Sequence, residues 1–492
     1  ISANFSVPGS GKTWMAYFAY EEMKKRGDVD RILIIAPLSA FKPWEFEYEQ
    51  IFNKDPNSHR IKSTKVSQLI NQVETKEIFL VSYATAAIKS KFIIDMLEKK
   101  KFLVICDESH YIKNPYAKRA IGALQIGKKS KRRMILTGTP LPQGPQDLWT
   151  QFTFLFQSNE VLGNYQYYKY QLKRGNFPQI KKTLDPFYTR VTLDELNLPK
   201  PIFQRKKVKM SHYQELIYNA IANTILEGQK ISWSDQQKLD EWRTNITIYL
   251  LAAALDPSLL RKVGKNRMVE IKDFAKLSFP DMIQNYIKSN EMPGKISIAI
   301  DEIKKIVDAK KKVVVWCTRV KTIDRMYEEL KNQGYDSLTV TGRIPQDGEV
   351  DPNDNREKRI EEFKVSEKNI LIANPASCAE SISLHKHCQN AIYLDRNFNG
   401  AQYMQSLSRI HRVGMPEKIN PKYMMIMSEN TIDEDVDDRL EQKHQRMLDF
   451  LNDDFEVLNL DLDDDSIFGL DILEQEEDFE QIMKSLKKRR NK

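Results

Sequence analysis

The segment SVPGSGKT, residues 6–13, constrains the fold more than any other stretch of this chain. Gly9 and Gly11 allow backbone conformations and a close ligand approach that a side chain would block. The strand-like ISANF precedes the segment and the helix-like TWMAYFAYEE follows it, which is the context that a phosphate-binding loop requires. The segment therefore predicts a nucleotide site between a strand and a helix. The alternative is a glycine turn that opens an ordinary helix.

Each residue type in this loop suits one part of a nucleotide. Lys12 would reach the β- and γ-phosphates, and the Thr13 hydroxyl would bind Mg²⁺. Ser6 stands where the first glycine of the pattern usually lies, so the match fails by one residue. We expect ATP and Mg²⁺ as the ligands. The predicted nucleotide-binding residues are Gly9, Ser10, Gly11, Lys12 and Thr13.

Two carboxylates follow the apolar run FLVIC. Asp107 would hold Mg²⁺ together with Thr13, and Glu108 would orient or deprotonate the attacking water. A solvated strand end is the alternative interpretation, but a phosphate-binding lysine upstream argues against it. The expected catalytic residues in this half of the chain are therefore Lys12, Asp107 and Glu108.

Short apolar runs that end in small or polar residues alternate with helical stretches in two parts of the chain. Buried parallel strands have this pattern, with functional residues at their carboxyl ends. The runs are RILIIAPLSAF, EIFLVSYAT, FLVICDESH and RRMILTGTP in the first part, and KKVVVWCT, DSLTVTG, KNILIAN and NAIYLDR in the second. The alternation predicts two doubly wound α/β lobes, which could share an architecture.

The domain boundaries follow from changes in composition. We expect a first lobe at residues 1–155, incomplete at its N-terminus, and a second at 291–428. Residues 156–290 are predicted to be mostly a helical insertion and linker, and 429–451 a closing helix. From Met447 to Met483 the chain has 14 acidic residues and no Lys or Arg, and six basic residues follow. Residues 452–492 are therefore predicted to be a mobile tail, either solubilising or docking, or folding onto a basic cleft.

The remaining composition bounds the class of protein. The formal net charge is +8, and the acidic tail leaves a basic excess in residues 1–446, which indicates either a polyanion partner or added solubility. No apolar run is long enough to span a membrane. The four cysteines are far apart, so zinc and disulfides are poorly supported and a reducing cytoplasm is expected.

DESH followed by YIKNP and then LTGTP resembles helicase superfamily two, and more narrowly the SWI/SNF-type ATPases. Further blocks occur in the order of that family: PLSAFKPWEFEYEQ, VSYATAA, LTGTPLPQGPQDLW, LDPFYTRVTLDEL, KVKMSHYQELIY and QSLSRIHRVGM. The resemblance covers most of residues 1–445. It implies two RecA-like lobes that hydrolyse ATP and couple hydrolysis to movement on double-stranded DNA.

The resemblance also implies roles for individual residues. Gln405, Arg409 and Arg412 would lie on one helix and reach ATP bound to the first lobe. Thr137 and Thr139 would couple the nucleotide site to the grip on nucleic acid. The implied contacts to the nucleic-acid backbone are Ser39, Ser82, Tyr83, Lys113 and Asn114 on the first lobe, and Thr341, Gly342 and Ser377 on the second. A strand-end cap is the alternative for each of these. Trp44 and Trp316 are expected to pack in cores rather than to stack on bases.

Two departures from the family pattern leave alternatives open. The block NPASCAESISLH has Ser377, Cys378, Ala379 and Glu380 where glycines are common, and we expect further base-contacting residues upstream of Ile1. The variant looks like a prokaryotic subset, some members of which accompany anti-phage genes. The leading hypothesis is a double-stranded DNA translocase in a prokaryotic cytoplasm, with a possible protein partner. A strand-separating helicase on DNA or RNA and a nucleotide-dependent DNA clamp are the alternatives.

Overall fold

A computed structural model describes residues 1–61, 66–142, 144–157, 160–192, 195–228, 236–262, 278–345, 354–378, 383–452 and 476–490. The chain divides into two compact units. Of the described residues, the first unit contains 1–198 and 443–452, and the second contains 199–442 and 476–490. The first boundary along the chain lies between Leu198 and Pro199. The boundary thus falls inside the segment predicted as insertion and linker. None of the described helices is long and apolar enough to cross a membrane.

The first unit is built on a parallel sheet with helices around it. Its described strands are β1 (Ser2–Asn4), β2 (Arg31–Ala36), β3 (Ser58–Ile61), β4 (Ile78–Ser82), β5 (Phe102–Asp107), β6 (Arg132–Leu136) and β7 (Tyr188–Thr189), in the spatial order β3-β4-β2-β5-β6-β1-β7. Its helices are α1 (Lys12–Lys25), α2 (Phe41–Phe52), α3 (Val66–Thr75), α4 (Tyr83–Leu97), α5 (Lys118–Gly127), α6 (Leu148–Phe156), α7 (Tyr165–Lys173) and α8 (Phe177–Leu184).

The second unit repeats this plan. Its described strands are β8 (Ile202–Val208), β9 (Val313–Trp316), β10 (Ser337–Val340), β11 (Ile370–Ala373), β12 (Asn390–Tyr393) and β13 (Lys422–Ser428), all parallel, in the order β10-β11-β9-β12-β13-β8. The helices numbered from residue 199 onward are α9 (His212–Gly228), α10 (Gln236–Leu255), α11 (Phe279–Ser289), α12 (Gly294–Asp308), α13 (Val320–Asn332), α14 (Arg356–Val365), α15 (Pro375–Cys378), α16 (Gly400–Leu407), α17 (Ile432–Asn452) and α18 (Glu476–Arg490).

The two sheets have the same topology. If β1 to β6 are matched in chain order to β8 to β13, the spatial order of the strands is the same in both sheets. The first sheet has one additional strand, β7, at its edge. The predicted α/β fold with two parallel-sheet lobes is therefore confirmed, and so is the expectation that the lobes share an architecture.

The central strands are buried on both faces, because helices cover each side of a parallel sheet. Residues 32–36 of β2 and 102–106 of β5 are buried throughout. Trp44 and Trp316 lie in the cores of their units, as predicted. In the first unit, the carboxyl ends of β1, β2, β4, β5 and β6 lie at one edge of the sheet and carry the predicted functional residues.

The structure differs from the prediction of a mobile tail at residues 476–490, which form α18. Phe479, Ile482, Met483 and Leu486 of this helix are buried in the core of the second unit. Asp478 Oδ1 accepts a hydrogen bond from Arg439 Nε at 2.7 Å, and both side chains are buried. The acidic stretch before α18 lies outside the described residues.

Candidate active site

The phosphate-binding loop connects β1 to α1 through two glycines in the left-handed region. Gly9 has a φ of 84° and Gly11 a φ of 85°, which side-chain-bearing residues rarely adopt. Gly11 caps α1 without a side-chain hydrogen bond, and the first helical turn has no acidic residue. The positive end of the helix dipole therefore favours an anion at this position.

Two side chains of the loop are placed for phosphate. Lys12 Nζ donates hydrogen bonds to the backbone oxygens of Ser6 at 2.9 Å and Val7 at 3.2 Å, so the ammonium lies over the loop. Ser10 Oγ is buried and has no hydrogen-bond partner within the described part of the chain. A buried hydroxyl without a partner is unfavourable, and a phosphate oxygen would satisfy it.

Ser6, the departure from the glycine pattern, has a structural role of its own. Its buried Oγ accepts a hydrogen bond from the amide of Val191 at 2.9 Å. The amides of Phe5 and Val7 donate to the backbone oxygens of Thr189 and Val191 on either side. The serine thus fastens the phosphate loop to the segment that continues β7.

The loop also packs directly on the LTGTP segment at the end of β6. A Cβ on Gly138 would lie 2.7 Å from Pro8 Cδ, closer than carbon atoms can approach. The amide of Thr137 donates to the backbone oxygen of Asn4 at 3.1 Å. The two segments are therefore in close contact, and only glycine fits at position 138 without a shift.

Asp107 lies at the carboxyl end of β5 with both oxygens engaged. Oδ1 accepts from the amide of Glu108 at 2.9 Å, and Oδ2 accepts from Trp44 Nε1 at 2.7 Å. Burial and the negative charge of Glu108 raise the pKa of Asp107 to about 7, while Trp44 and Lys12 oppose the increase. Trp44 is thus a site residue that sequence reasoning placed only in the core.

Glu108 is held in a left-handed conformation, with a φ of 49°, which is uncommon for a residue with a side chain. Its Oε2 lies 3.4 Å from His110 Nδ1. The same nitrogen lies 3.2 Å from Thr137 Oγ1 and 3.3 Å from Thr139 Oγ1. His110, which the sequence analysis did not single out, therefore links Glu108 to both predicted coupling threonines.

A second buried contact joins the same two segments. Ser109 Oγ donates to Gln151 Oε1 at 2.7 Å, and Gln151 Nε2 donates to the backbone oxygens of Pro140 at 2.7 Å and Asp147 at 2.9 Å. Gln151 lies on α6, just after the block LTGTPLPQGPQDLW. Its amide side chain, in a helix whose other residues are apolar or threonine, is the signal that could have identified it.

Among the predicted nucleic-acid contacts of the first unit, two have structural roles. Ser82 Oγ caps α4 by accepting from the amide of Thr85 at 3.1 Å, which is the alternative considered for it. Tyr83 is buried, stacks on Tyr111, and donates its hydroxyl to the backbone oxygen of Asp107 at 2.7 Å. Both side chains therefore support the site from within.

The other three lie on partly exposed backbone turns. Ser39 lies in the 3₁₀ helix Leu38–Ala40 after β2. The backbone oxygen of Lys113 accepts from Thr150 Oγ1 at 3.1 Å, and Asn114 Oδ1 accepts from the amide of Tyr116 at 2.9 Å. Their predicted contacts to nucleic acid stay predictions.

In the second unit, the structure brings Gly342 and Ser377 together. A Cβ on Gly342 would lie 3.5 Å from Ser377 Oγ. Arg356 donates to the backbone oxygens of both residues, at 3.3 Å and 3.4 Å, and to that of Ile344 at 2.8 Å. Thr341 is buried and accepts from the amide of Arg343. Ala379 and Glu380 lie outside the described residues.

The arginines do not share a helix with Gln405, which corrects the prediction. Helix α16 ends at Leu407, and both arginines follow it in turns. Arg409 is buried, and its Nε donates to the backbone oxygen of Gln405 at 2.8 Å. Arg412 is partly exposed and donates to Ser383 Oγ at 3.3 Å. The single helix that the resemblance implied for these three residues ends before either arginine.

The surroundings of Arg412 are electropositive. His385 Nδ1 lies 3.0 Å from Ser383 Oγ. Burial and the charge of Arg412, together with neighbouring cationic groups, lower the pKa of His385 to about 4. The histidine is thus neutral at physiological pH, and the positive potential here favours an anion.

The donor set suits a hard divalent cation held together with its phosphates. Thr13 and Asp107 offer a hydroxyl and a carboxylate, and Mg²⁺ is usually bound by one or two protein oxygens plus phosphates. Within the described ranges no cluster of three or more His, Cys, Asp or Glu side chains could hold a metal ion. A hydroxyl and a carboxylate are the kinds of ligand that Mg²⁺ delivered with a nucleotide would use.

Comparison with known families gives two matches. The SNF2-related domain matches residues 8–247, and the helicase conserved C-terminal domain matches residues 294–414. The first match contains residues 8–13 of the phosphate loop together with Asp107 and Glu108. The second contains the buried Arg409 and the partly exposed Arg412.

Two curated relatives illustrate the similarity, and in each the match covers only part of the relative's own length. An uncharacterized ATP-dependent helicase of Mycoplasma genitalium is 24% identical over 445 residues, which is 89% of this chain and 39% of that protein. The human DNA annealing helicase and endonuclease ZRANB3 is 33% identical over 154 residues, or 30% of this chain and 13% of that protein. The chain thus spans less than two fifths of the length of these relatives.

A solved structure, the Sulfolobus solfataricus SWI2/SNF2 ATPase core in complex with double-stranded DNA, is also similar. The identity is 20%, and the alignment covers 92% of this chain and 88% of that one, with a TM-score of 0.37. The structural likeness is therefore weak.

Proposed function

Because the chain belongs to the SNF2-related family of helicase superfamily two, we propose that it hydrolyses ATP and uses the reaction to move along double-stranded DNA. The observation that carries this proposal is the meeting of the phosphate loop, Asp107 and Glu108 at one edge of one sheet. The His110 contacts to Thr137 and Thr139 give that edge a route by which a change at Glu108 could reach the LTGTP segment.

The residues of the first unit have separable tasks in this reaction. Lys12 would exchange the backbone oxygens of Ser6 and Val7 for β- and γ-phosphate oxygens, and Ser10 Oγ would donate to phosphate. Glu108 would orient the attacking water and accept its proton, with His110 fixing the carboxylate. Mg²⁺, when bound with ATP, would neutralise charge on the phosphates.

Thr13 and Asp107 would hold that ion, which requires Asp107 to be ionised. The hydrogen bonds from Trp44 and from the amide of Glu108 favour the ionised form. They offset part of the increase in pKa that burial causes. Trp44 therefore supports the metal ligand although it does not contact the nucleotide.

Gln405, Arg409 and Arg412 are proposed to contribute to the same reaction by contacting phosphate. An arginine that contacts the transferred phosphoryl group can increase the rate by about 10³–10⁵. Support comes from the electropositive surroundings of Arg412 and from the match of this segment to the helicase C-terminal domain.

Double-stranded DNA is proposed as the partner because of the charge of the chain and the names of its relatives. The basic excess in residues 1–446 suits a polyanion. Human relatives include one named as a chromodomain-helicase-DNA-binding protein and one named as a DNA annealing helicase. Contacts to phosphates carry no sequence code, so binding should be salt-sensitive and largely independent of sequence. A prokaryotic cytoplasm and a protein partner belong to the same proposal.

The test is ATP hydrolysis measured alone and with duplex DNA, single-stranded DNA or duplex RNA, with Lys12→Ala as the control. We expect stimulation by duplex DNA that the control lacks, followed by displacement of a triplex-forming strand. Stimulation only by single strands or RNA would favour the helicase alternative. DNA binding without turnover would favour the clamp.

A further inference from the structure

An exposed aromatic pair lies directly beyond the phosphate loop. Trp14 and Phe18 are one turn apart on α1, with exposed fractions of 44% and 53%. Their ring centroids are 6.4 Å apart and their planes meet at 76°. Tyr17 and Tyr20 on the other face of α1 are buried in the core. The core therefore fixes the rotation of α1, and the helix presents the pair outward.

The pair is placed where the remainder of a nucleotide would emerge. Trp14 follows Thr13 in the first turn of α1, and successive helical residues rise by about 1.5 Å. Phosphates bound over Lys12 and Ser10 would occupy the end of the helix. The ribose and base are attached to the α-phosphate, so they would lie near that end of α1, within reach of the exposed face of its first turn.

The pair forms a continuous surface with α2. Phe18 also meets Phe52 edge-on, with centroids 6.4 Å apart, and Phe52 packs against Tyr48 and Tyr17. A single exposed aromatic residue needs no explanation. Here two rings, one of which packs against α2, lie next to the phosphate loop, so a flat apolar surface adjoins an anion site. A nucleotide has the same combination, since its base is flat and apolar and its phosphates are charged.

We propose that Trp14, supported by Phe18, is the platform on which the base of the bound nucleotide stacks. The inference rests on the proposed function, because it assumes that the loop binds the phosphates. Stacking on an indole face tolerates all bases, since each has a π-face. This contact alone would therefore admit other nucleoside triphosphates besides ATP.

The test distinguishes the contribution of the base to binding from that of the phosphates. Calorimetry on the full-length protein would compare Mg²⁺ with a non-hydrolysable ATP analogue and Mg²⁺ with inorganic tripolyphosphate. We expect Trp14→Ala to weaken binding of the analogue by about 5- to 100-fold, the range for base–aromatic stacking, and to leave tripolyphosphate binding within about twofold of wild type. Trp14→Phe should retain most of the affinity, because it keeps an aromatic face.

The matched control is Tyr170→Ala on α7, an aromatic residue that is 50% exposed and lies outside the proposed site. It should change binding of neither ligand. Equal melting temperatures for Trp14→Ala and Tyr170→Ala would show that α1 stays folded.

The other outcomes are distinct. If Trp14→Ala weakens both ligands equally, the residue acts through the loop and the platform is refuted. If it changes neither, another segment or a partner covers the ring, and the platform is again refuted. Lys12→Ala should weaken both ligands, and if it changes neither, the proposed function itself fails.

Discussion

The charged contact that fixes α18 can be tested by removing one partner. Arg439 and Asp478 are joined at 2.7 Å, and their side chains are 4% and 0% exposed. Asp478→Ala would leave the guanidinium buried beside an apolar cluster. Removing one partner of a buried pair costs about 3–5 kcal/mol. At about 1.4 kcal/mol for each factor of ten, α18 should open roughly 10²- to 4 × 10³-fold more often.

Hydrogen exchange of the α18 amides measures this opening directly. We expect the amides of residues 479–490 to exchange faster in Asp478→Ala, with the amides of the central strands unchanged. Glu480→Ala is the matched control, since it removes a carboxylate from an exposed position of the same helix. The double variant Arg439→Met with Asp478→Leu should recover protection, because no charge is then left buried. Equal exchange in Asp478→Ala and Glu480→Ala would refute the reasoning.

Three further predictions concern the nucleotide site. Gly138→Ala should raise the dissociation constant for ATP, measured by calorimetry, because the new methyl would meet Pro8 at 2.7 Å; unchanged affinity would contradict the close packing. Trp44→Phe removes a hydrogen bond to Asp107, and bonds to charged groups are worth about 1.5–3 kcal/mol. Since that bond favours the ionised form, the pKa of Asp107 should rise above about 7. The acidic limb of the ATPase pH profile should then move up by about one to two pH units; an unmoved limb would count against Asp107 as the titrating group. Ser6→Gly restores the glycine of the pattern but removes the acceptor for the segment after β7, so we expect a loss of about 1 kcal/mol in unfolding free energy, measured in urea; a more stable variant would contradict this role.

Much of the fold could be predicted, because buried parallel strands are continuous apolar runs. The eight runs named from the sequence correspond to β2, β4, β5, β6 and β9–β12. Strand β8 was not predicted, since IFQRKKV is largely exposed. It is an edge strand that pairs with β13, which lies more than 200 residues later in the chain. A local sequence pattern cannot predict a pairing over that distance.

The helix α18 was not predicted because of the charged composition of the segment. Acidic residues before it and basic residues within it indicated a solvated tail. The apolar residues Phe479, Ile482, Met483 and Leu486 nevertheless have the i, i+3, i+4, i+7 spacing of one helical face. That signal was present in the sequence, but the average charge of the segment outweighed it.

The residues of the candidate site also fall into those that the sequence could predict and those that it could not. Lys12, Asp107 and Glu108 belong to short motifs and could be found locally. Trp44 and Gln151 reach the same place from other elements, so their contribution depends on tertiary packing. The turns that hold Arg409 and Arg412 could not be predicted, because an i, i+3 spacing also fits a helix.

The shared strand order has a consequence for stoichiometry. Strand β8 occupies in the second sheet the place that β1 has in the first. Whereas β1 leads into SVPGSGKT, β8 leads through Lys209 and Met210 to Ser211, whose amide donates to Gln214 Oε1 at 3.3 Å. One amide just before α9 is thus bonded by a side chain of the helix itself. Within the described residues a phosphate loop follows only one of these two equivalent strands, so we expect the two sheets to provide one triphosphate site and not two.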